Sequence, residues 1–223
     1  MELGDEKTKY LQSTENVRKY LSIVMWGFIF FTILKIVGSF ITLFIFGKYN
    51  HDFTLRSVEA LDEVILAIAT LFNFPWFVLW LVILILYSGW VHRSYTTLAK
   101  QEVQGLEQSP AWAVGWNFIP IMNLFKPFIN MKEIYRATFY AEKDSIDWKH
   151  DSTPGYFLLW WIFLLIGIIT FINWFQVGKT IYFLQIDTWL SIISSISFII
   201  AGFMLLNIMK KITAKQMARF KQE

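Results

Sequence analysis

The stretch WAVGWNFIPIMNLFKPFINMKEIYRATFYAEK, Trp112–Lys143, decides the fold because it is too polar to cross a bilayer and too apolar to be an ordinary loop. Its apolar part, 113–125, has thirteen residues, whereas a helix needs about twenty to cross the hydrocarbon core. Proline cannot donate the helical hydrogen bond, so Pro120 and Pro127 mark breaks or the first positions of new helices. We therefore predict short broken pieces before Pro127 and a helix from Pro127 to about the end of the stretch.

The predicted helix has an apolar side and a charged side. Its apolar residues recur at spacings of three and four: Phe128, Met131, Tyr135 and Phe139. Off that line lie the charged residues Lys132, Glu133 and Arg136. This amphipathic pattern predicts that segment 112–143 lies in the membrane interface. The alternative is a small soluble hairpin that packs on the transmembrane helices.

Four long apolar runs surround this segment and set the fold class. They predict transmembrane helices over 21–46, 64–91, 156–175 and 189–209. Pro75 is expected to bend the second helix, and Asp187 or Thr188 is expected to cap the fourth. The sequence thus predicts an all-α integral membrane protein with four transmembrane helices in a single domain, 1–223, that ends in a basic tail, 210–223.

The distribution of lysine and arginine predicts the orientation of these helices. The two terminal tails and the segment between the second and third helices carry sixteen of these residues, against three in the two opposite loops. Because positive residues are enriched on the cytoplasmic side, both termini and the central segment are expected in the cytoplasm. We expect a multi-pass protein of the cell membrane without a cleavable signal peptide, since no early apolar run precedes a cleavage site.

The composition excludes several classes of function. The chain has 223 residues, of which 56% are hydrophobic, and no cysteine, which excludes disulfides, thiol catalysis and thiolate metal sites. It contains no glycine-rich phosphate loop and no zinc-ligand spacing. We therefore predict no catalytic residue, no cofactor and no metal site, and we expect the protein not to be an enzyme.

A family resemblance is carried by the run 115–127, GWNFIPIMNLFKP, and by its continuation through Arg136. This run resembles the signature of the DUF4328 family, a bacterial multi-pass membrane domain of unknown function. The matching residues include Gly115, Trp116, Pro120, Asn123, Pro127 and Arg136. Two flanking parts also resemble the family pattern: Trp90, Arg93, Tyr95 and Leu98 before the signature, and Trp160 with Trp161 after it. The resemblance implies a domain of the bacterial inner membrane but no particular activity.

Lys35 is a cation near the middle of the first predicted span, with Asn73 at a similar depth on the second. It lies about 16 Å from the outer end of its helix, which exceeds the reach of a lysine side chain. A charge at this depth costs at least about 2.5–3.5 kcal/mol. Lys35 is therefore expected to meet the Asn73 amide, a hydroxyl such as Thr70 or Ser194, a backbone carbonyl or water, or to lose its proton. It is either a functional intramembrane residue or a lysine satisfied inside a helix bundle.

The tail after the fourth span is basic: its cations include Lys210, Lys211, Lys215 and Arg219. Each basic residue beside a membrane is attracted to anionic headgroups by about 1 kcal/mol. We therefore predict that the tail contacts the lipid bilayer, including anionic lipids. No nucleic-acid binding is expected because the tail is short and lies at the bilayer.

Two other groups of polar residues have simpler interpretations. One group matches no named metal site and is expected to form a solvated linker: Asp144, Asp147, His150 and Asp151. The other lies on the fourth span and is expected to allow close helix packing: Ser191, Ser194, Ser195 and Ser197. No histidine lies within a predicted span to activate a serine nucleophile.

Three functions agree with this topology. We favour a non-enzymatic membrane scaffold or partner-binding component that uses the interfacial helix to hold a protein partner or a second copy of the chain. One alternative is a small-solute or ion pathway lined by Lys35 and Asn73. Another is a lipid-modifying enzyme that uses Asn123, Glu133, Arg136 or the acidic linker.

Overall fold

The structure is a computed structural model, and it describes residues 2–50, 52–53, 58–141, 146–171 and 180–220. Within these ranges the secondary structure is helical, apart from one isolated bridge residue at Thr180. The α-helices are α1 (Glu2–Phe46), α2 (Ala60–Thr70), α3 (Asn73–Lys100), α4 (Pro110–Gly115), α5 (Lys126–Tyr140), α6 (Tyr156–Phe171) and α7 (Ile181–Phe220). Short 3-10 turns cover Trp116–Phe118, Met122–Leu124 and Asp147–His150.

Three stretches of the described chain are long and apolar enough to cross a membrane: Leu11–Phe46, Ala60–Lys100 and Ile181–Arg219. They contain the first, second and fourth predicted spans. Helix α6 is a shorter apolar helix of 16 residues, and the last part of the third predicted span, 172–175, lies outside the described residues. The all-helical fold class is confirmed in these ranges.

The second predicted span is interrupted rather than simply bent. Helix α2 ends at Thr70, and α3 begins at Asn73, so Pro75 is the third residue of a new helix. A proline is tolerated there because the first amide groups of a helix have no intrahelical acceptor. The interruption leaves two helix ends next to each other in the sequence.

The predicted cap of the fourth span is wrong. Helix α7 begins at Ile181, so Asp187 and Thr188 lie inside the helix. The Ile181 amide donates instead to the Phe53 carbonyl at 2.8 Å, and this bond satisfies one of the amide groups that a helix start leaves free.

The proline-broken segment folds as the sequence predicts. Ser109 caps α4 by accepting a hydrogen bond from the Trp112 amide at 3.3 Å, and Pro110 is the first residue of that helix. Two 3-10 turns follow before α5. Helix α5 ends at Tyr140, three residues before the predicted end, because the backbone of Ala141 is extended.

The contacts divide the chain into two compact units. The first, which we call the signature unit, comprises Met1–Val24, Val82–Trp161 and Phe203–Glu223. The second, which we call the lysine unit, comprises Met25–Leu81 and Ile162–Gly202. Each unit is described separately below.

The core of the signature unit contains the residues of the flanking family pattern. Trp90, Tyr95 and Leu98 are fully buried. The Trp90 indole donates to the Thr213 hydroxyl at 3.0 Å, and Arg93 donates to the Ser13 hydroxyl. These hydrogen bonds join α3 to α7 and to α1 within the unit.

The apolar line of α5 faces protein in this unit, which corrects the predicted amphipathic orientation. Met131 is 0% exposed and Tyr135 is 8% exposed. The Phe128 ring lies 6.1 Å from that of Trp161, and the Tyr135 ring lies 5.0 Å from that of Phe157. The line therefore packs on α6, because its rings find aromatic partners there.

Most of the exposed apolar residues of the segment precede α5 instead. Phe118 and Ile121 are 72% and 71% exposed. Their exposed apolar neighbours are Trp112, Ile119, Met122, Leu124, Phe125 and Ile129. Such a concentration of exposed apolar side chains in one segment marks a surface for lipid or protein. We call the stretch 118–125 the apolar turn.

In the lysine unit, α1 and α2 approach each other very closely at Gly38. A methyl group added to Gly38 would overlap the carbonyl oxygen of Ala69. Glycine is the residue that permits this distance, because it has no side chain between the two backbones. An aromatic group that includes Phe28, Trp76 and Phe198 is buried nearby in the same unit.

Candidate functional site: the Lys35 cavity

The lysine unit contains a cavity of about 700 Å³. Lys35 and Asn73, the two residues proposed as an intramembrane site, both line it. Thr70 and Asn73, which end α2 and begin α3, are also part of the lining. The cavity therefore lies at the interruption of the second apolar stretch.

The Lys35 ammonium lies over aromatic rings rather than beside a polar side chain. Its Nζ is 4.4 Å from the centre of the Trp76 ring and 5.5 Å from that of Phe171. A desolvated ammonium over a tryptophan face is stabilised by about 2 kcal/mol. Among the described residues Lys35 forms no hydrogen bond and no ion pair. The aromatic rings thus hold the lysine, and none of the described residues accepts a hydrogen bond from its ammonium.

Trp76 is held in place by its own contacts. It is 2% exposed, and its indole donates to the Thr32 hydroxyl at 3.0 Å. That hydroxyl in turn donates to the Phe28 carbonyl at 2.6 Å, and the Trp76 ring packs 5.3 Å from Phe28 and 5.9 Å from Phe198. The Trp76 ring under Lys35 is therefore held by a hydrogen bond and by contacts with two other rings.

The rest of the lining contains acidic and hydroxyl side chains that sequence reasoning did not assign to the site. Glu63 and Asp187 supply carboxylates. The hydroxyls are those of Ser39, Thr42, Thr70, Thr170, Thr188 and Ser191. Because the lining has a lysine as well as two carboxylates, it offers partners for both positive and negative groups of a solute. The sequence predicts Asp187 as a helix cap rather than as a lining residue, and a single tryptophan in an apolar run, such as Trp76, carries no polar signal.

The hydroxyls predicted to meet Lys35 bond elsewhere. Thr70 donates to the Leu66 and Ala67 carbonyls of its own helix. Ser194 donates to the Gly167 carbonyl at 2.8 Å, which joins α7 to α6 as the packing interpretation predicts. Ser195 donates to the Ser191 carbonyl. Of the four serines on the fourth span, Ser191 lines the cavity.

The residues of the family signature lie in the signature unit. Some of them make contacts that hold this unit together. The Trp116 indole donates to the Gln108 side chain at 2.8 Å, and the Lys126 ammonium lies 5.4 Å from the centre of the Trp116 ring. Asn130, which the sequence analysis did not single out, donates to the Ala113 carbonyl at 2.9 Å and so joins α5 to α4. Gly115 and Arg136 are half-buried, Pro127 is buried, and Pro120 and Asn123 are exposed.

Glu133 connects three parts of the signature unit. The Tyr95 hydroxyl donates to one of its carboxylate oxygens at 2.6 Å, and the Glu107 amide donates to the other at 2.6 Å. Burial raises the pKa of the Glu133 carboxyl, although these two hydrogen bonds act in the opposite direction. The carboxyl thus serves to join α3, α5 and the turn between α3 and α4.

The basic tail makes contacts with protein. Arg219 donates to the Ala137 carbonyl at 3.2 Å and to the Ala141 carbonyl, so it caps the carboxyl end of α5. The Lys211 and Lys215 ammonium groups lie 4.8 Å and 6.0 Å from the ring centres of Tyr156 and Phe139. Lys210 is exposed. Lipid headgroup binding by these residues stays a prediction.

The acidic linker forms no metal centre among the residues that the structure describes. Asp144 lies outside them. His150 belongs to the 3-10 turn Asp147–His150, and Asp151 follows it. The buried residue of this turn is Trp148, whose indole donates to the Gln104 carbonyl at 3.1 Å.

Comparison with known proteins gives one family. The model of DUF4328, a domain of unknown function, matches residues 58–214. This range covers more than half of the chain and includes the signature, the residues before it and the tryptophan pair after it. No curated protein and no solved structure matches the chain significantly.

Proposed function

Because the chain belongs to the DUF4328 family, whose function is unknown, we propose an activity from its own geometry: a four-span membrane protein that binds a small solute with an anionic group in the Lys35 cavity. The observation that carries this proposal is the shared cavity of Lys35, Asn73 and the interrupted helix.

The division into two units supports the predicted topology. Both tails and the segment between the second and third spans belong to the signature unit. The two short loops predicted on the opposite side belong to the lysine unit. Sixteen of the lysines and arginines thus lie in one set of stretches and three in the other. Because positive residues are enriched on the cytoplasmic side, this asymmetry supports a cytoplasmic location for the two tails and the central segment.

We further propose that the apolar turn contacts the inner leaflet. Its exposed rings and aliphatic side chains need an apolar environment, and Lys126 follows them directly, at the place where a cation meets headgroups. The lipid-facing residues are thus those of the 3-10 turns, whereas the apolar line of α5 packs on protein.

Single cysteines test this topology, because the natural chain has none. In intact cells we expect a membrane-impermeant maleimide to label Asp52→Cys directly and Gln104→Cys only after permeabilisation, since both residues are exposed and the proposed topology has Gln104 in the cytoplasm and Asp52 outside. A fluorophore on Ile121→Cys should be quenched by lipid-attached quenchers more strongly than one on Gln104→Cys. Direct labelling of Gln104→Cys, or equal quenching at both positions, would contradict the proposal.

Solute binding in the cavity follows from the state of Lys35. Its ammonium lies over the rings of Trp76 and Phe171, which line the cavity with it, and the described residues supply it with no acidic partner within 4.0 Å. An anionic group of a solute would provide the missing hydrogen-bond acceptors. Interrupted helices at midmembrane sites are also typical of transporters, where the helix ends bind substrates and ions.

Replacement of Lys35 tests the binding site. In purified protein we expect succinate or glutamate to raise the unfolding midpoint, and we expect Lys35→Met to weaken binding by about tenfold or more, because a hydrogen bond to a charged group contributes about 1.5–3 kcal/mol. Lys19→Met removes a charge from the same helix outside the cavity, so it should bind like the natural chain. Equal binding by Lys35→Met, or no binding of either carboxylate by the natural chain, would refute the site.

The geometry gives less support to the other two functions, a partner-binding scaffold and a lipid-modifying enzyme. The apolar line of α5 was the predicted partner surface, and Met131 and Tyr135 in it are buried. For a lipid-modifying enzyme, Glu133 and Arg136 line a common pocket of the signature unit, but Asn123 is not part of its lining.

A further inference from the structure

A second, smaller pocket lies in the signature unit and is independent of the Lys35 cavity. Its volume is about 220 Å³. Three cationic side chains line it: Lys132 and Arg136 on α5, and Lys149 on the 3-10 turn Asp147–His150. The apolar part of the lining is Phe128, Ile129 and Trp148. The pocket thus combines a cluster of positive charge with an apolar wall.

Within the part of the chain that the structure describes, the cations of this pocket have no acidic partner within 4.0 Å. Among the described residues Arg136 forms no ion pair or hydrogen bond, and its buried Nε has no acceptor. The Lys132 ammonium lies 5.1 Å from the Phe128 ring centre, and burial together with the nearby Arg136 charge lowers its pKa. Positive groups that line one pocket together with an unsatisfied buried donor favour the binding of an anion.

The two carboxylates of the lining do not supply this anion. Both Glu133 oxygens already accept hydrogen bonds, from Tyr95 and from the Glu107 amide. The Glu107 side chain is exposed, and in the described chain neither carboxylate lies within 4.0 Å of Lys132, Arg136 or Lys149. The described residues therefore leave donors in the pocket that could bind an anion with more negative charge than a carboxylate.

Two of the pocket's lining residues, Trp148 and Lys149, contact the turn between α3 and α4. Trp148 is buried and bonded to the Gln104 carbonyl. Gly105 has φ +80°, and a methyl group there would lie 3.1 Å from the Lys149 side chain. The glycine therefore both permits the turn and leaves space for the lysine stem. The turn between α3 and α4 thus positions Lys149 beside α5.

From these contacts we propose that the pocket binds a phosphate ester. A phosphate group carries enough charge and enough oxygen atoms to engage an arginine and two lysines, and arginine can bind it through two parallel hydrogen bonds. The volume is below the roughly 300–1,000 Å³ of pockets for drug-sized ligands, which suits a headgroup-sized ester rather than a nucleotide. Ile129 and Phe128 provide the apolar contact that the organic part of the ester needs.

The test uses the full chain in detergent with two probes, glycerol 3-phosphate and phosphatidylglycerol. Binding is measured as the rise in unfolding midpoint with the soluble ester and as lipid retained in native mass spectrometry. We expect Arg136→Gln and Lys132→Gln each to weaken binding by about tenfold. Lys100→Gln removes a charge from the same unit outside the pocket, and it should bind like the natural chain.

The two probes distinguish the source of the phosphate ester. If glycerol 3-phosphate binds and its binding depends on Arg136, the ligand is a soluble ester. If phosphatidylglycerol binds and glycerol 3-phosphate does not, the ligand is a lipid headgroup. Lys132→Gln keeps the test valid if Arg136→Gln does not fold, because Lys132 makes no hydrogen bond in the described chain. Binding of neither probe, or equal losses in Lys100→Gln and the pocket variants, would overturn the proposal.

Discussion

We expect Met131→Asp to unfold much of the signature unit. Met131 is 0% exposed on α5, so the new carboxylate would be buried without a partner. The effective cost of burying an unpaired charge is several kcal/mol, which is comparable with the whole stability of many domains. Unfolding of the purified protein in detergent, followed by circular dichroism with increasing denaturant, measures the loss.

The pH dependence of this variant provides an internal check. Burial disfavours the charged form and therefore raises the pKa of a carboxyl group. The loss of unfolding free energy in Met131→Asp should accordingly become smaller as the pH falls and the new carboxyl group becomes neutral.

A matched substitution separates burial from the loss of an apolar residue. Ile121→Asp places the same side chain at a position that is 71% exposed, and surface substitutions change stability by about 0.5 kcal/mol or less. We expect it to unfold like the natural chain in detergent. Similar stability of Met131→Asp and Ile121→Asp would show that α5 does not pack as described.

Gly38→Ala is expected to destabilise the lysine unit by about 1–3 kcal/mol, the usual cost of overpacking. The added methyl group would overlap the Ala69 carbonyl oxygen and also lie 3.2 Å from the Ala69 carbonyl carbon. Because the obstacle is backbone, a side-chain rotation cannot relieve the overlap, and α1 and α2 must separate. The unfolding midpoint in detergent measures the effect.

Gly27→Ala is the control on the same helix. A methyl group there would lie 3.8 Å from the Leu79 side chain, which is an ordinary contact. Alanine in a helix interior is favoured over glycine by roughly 0.5–1 kcal/mol, so this variant should be as stable as the natural chain or more so. Equal destabilisation by both substitutions would argue against the close approach at Gly38.

The surroundings of Lys35 could be predicted from the sequence only in part. The similar depth of Lys35 and Asn73 in two apolar runs suggested a common site, and both residues line the cavity. Their neighbour Trp76 was not foreseen, since an aromatic residue in an apolar run has the same pattern whether it faces lipid or a lysine. Asp187 was misplaced because its helix starts six residues earlier, at Ile181.

The sequence by itself determined the features that depend on neighbouring residues: long apolar runs, the breaks near two prolines, the family signature and the charge asymmetry. Only the tertiary structure decided which side of α5 is buried, where the second apolar stretch is interrupted, and which side chains surround Lys35 and Arg136. The physical reason is that an apolar residue leaves water equally well for lipid or for protein. Which of the two it meets depends on residues that are distant along the chain, such as Met131 on α5 and its neighbours on α6.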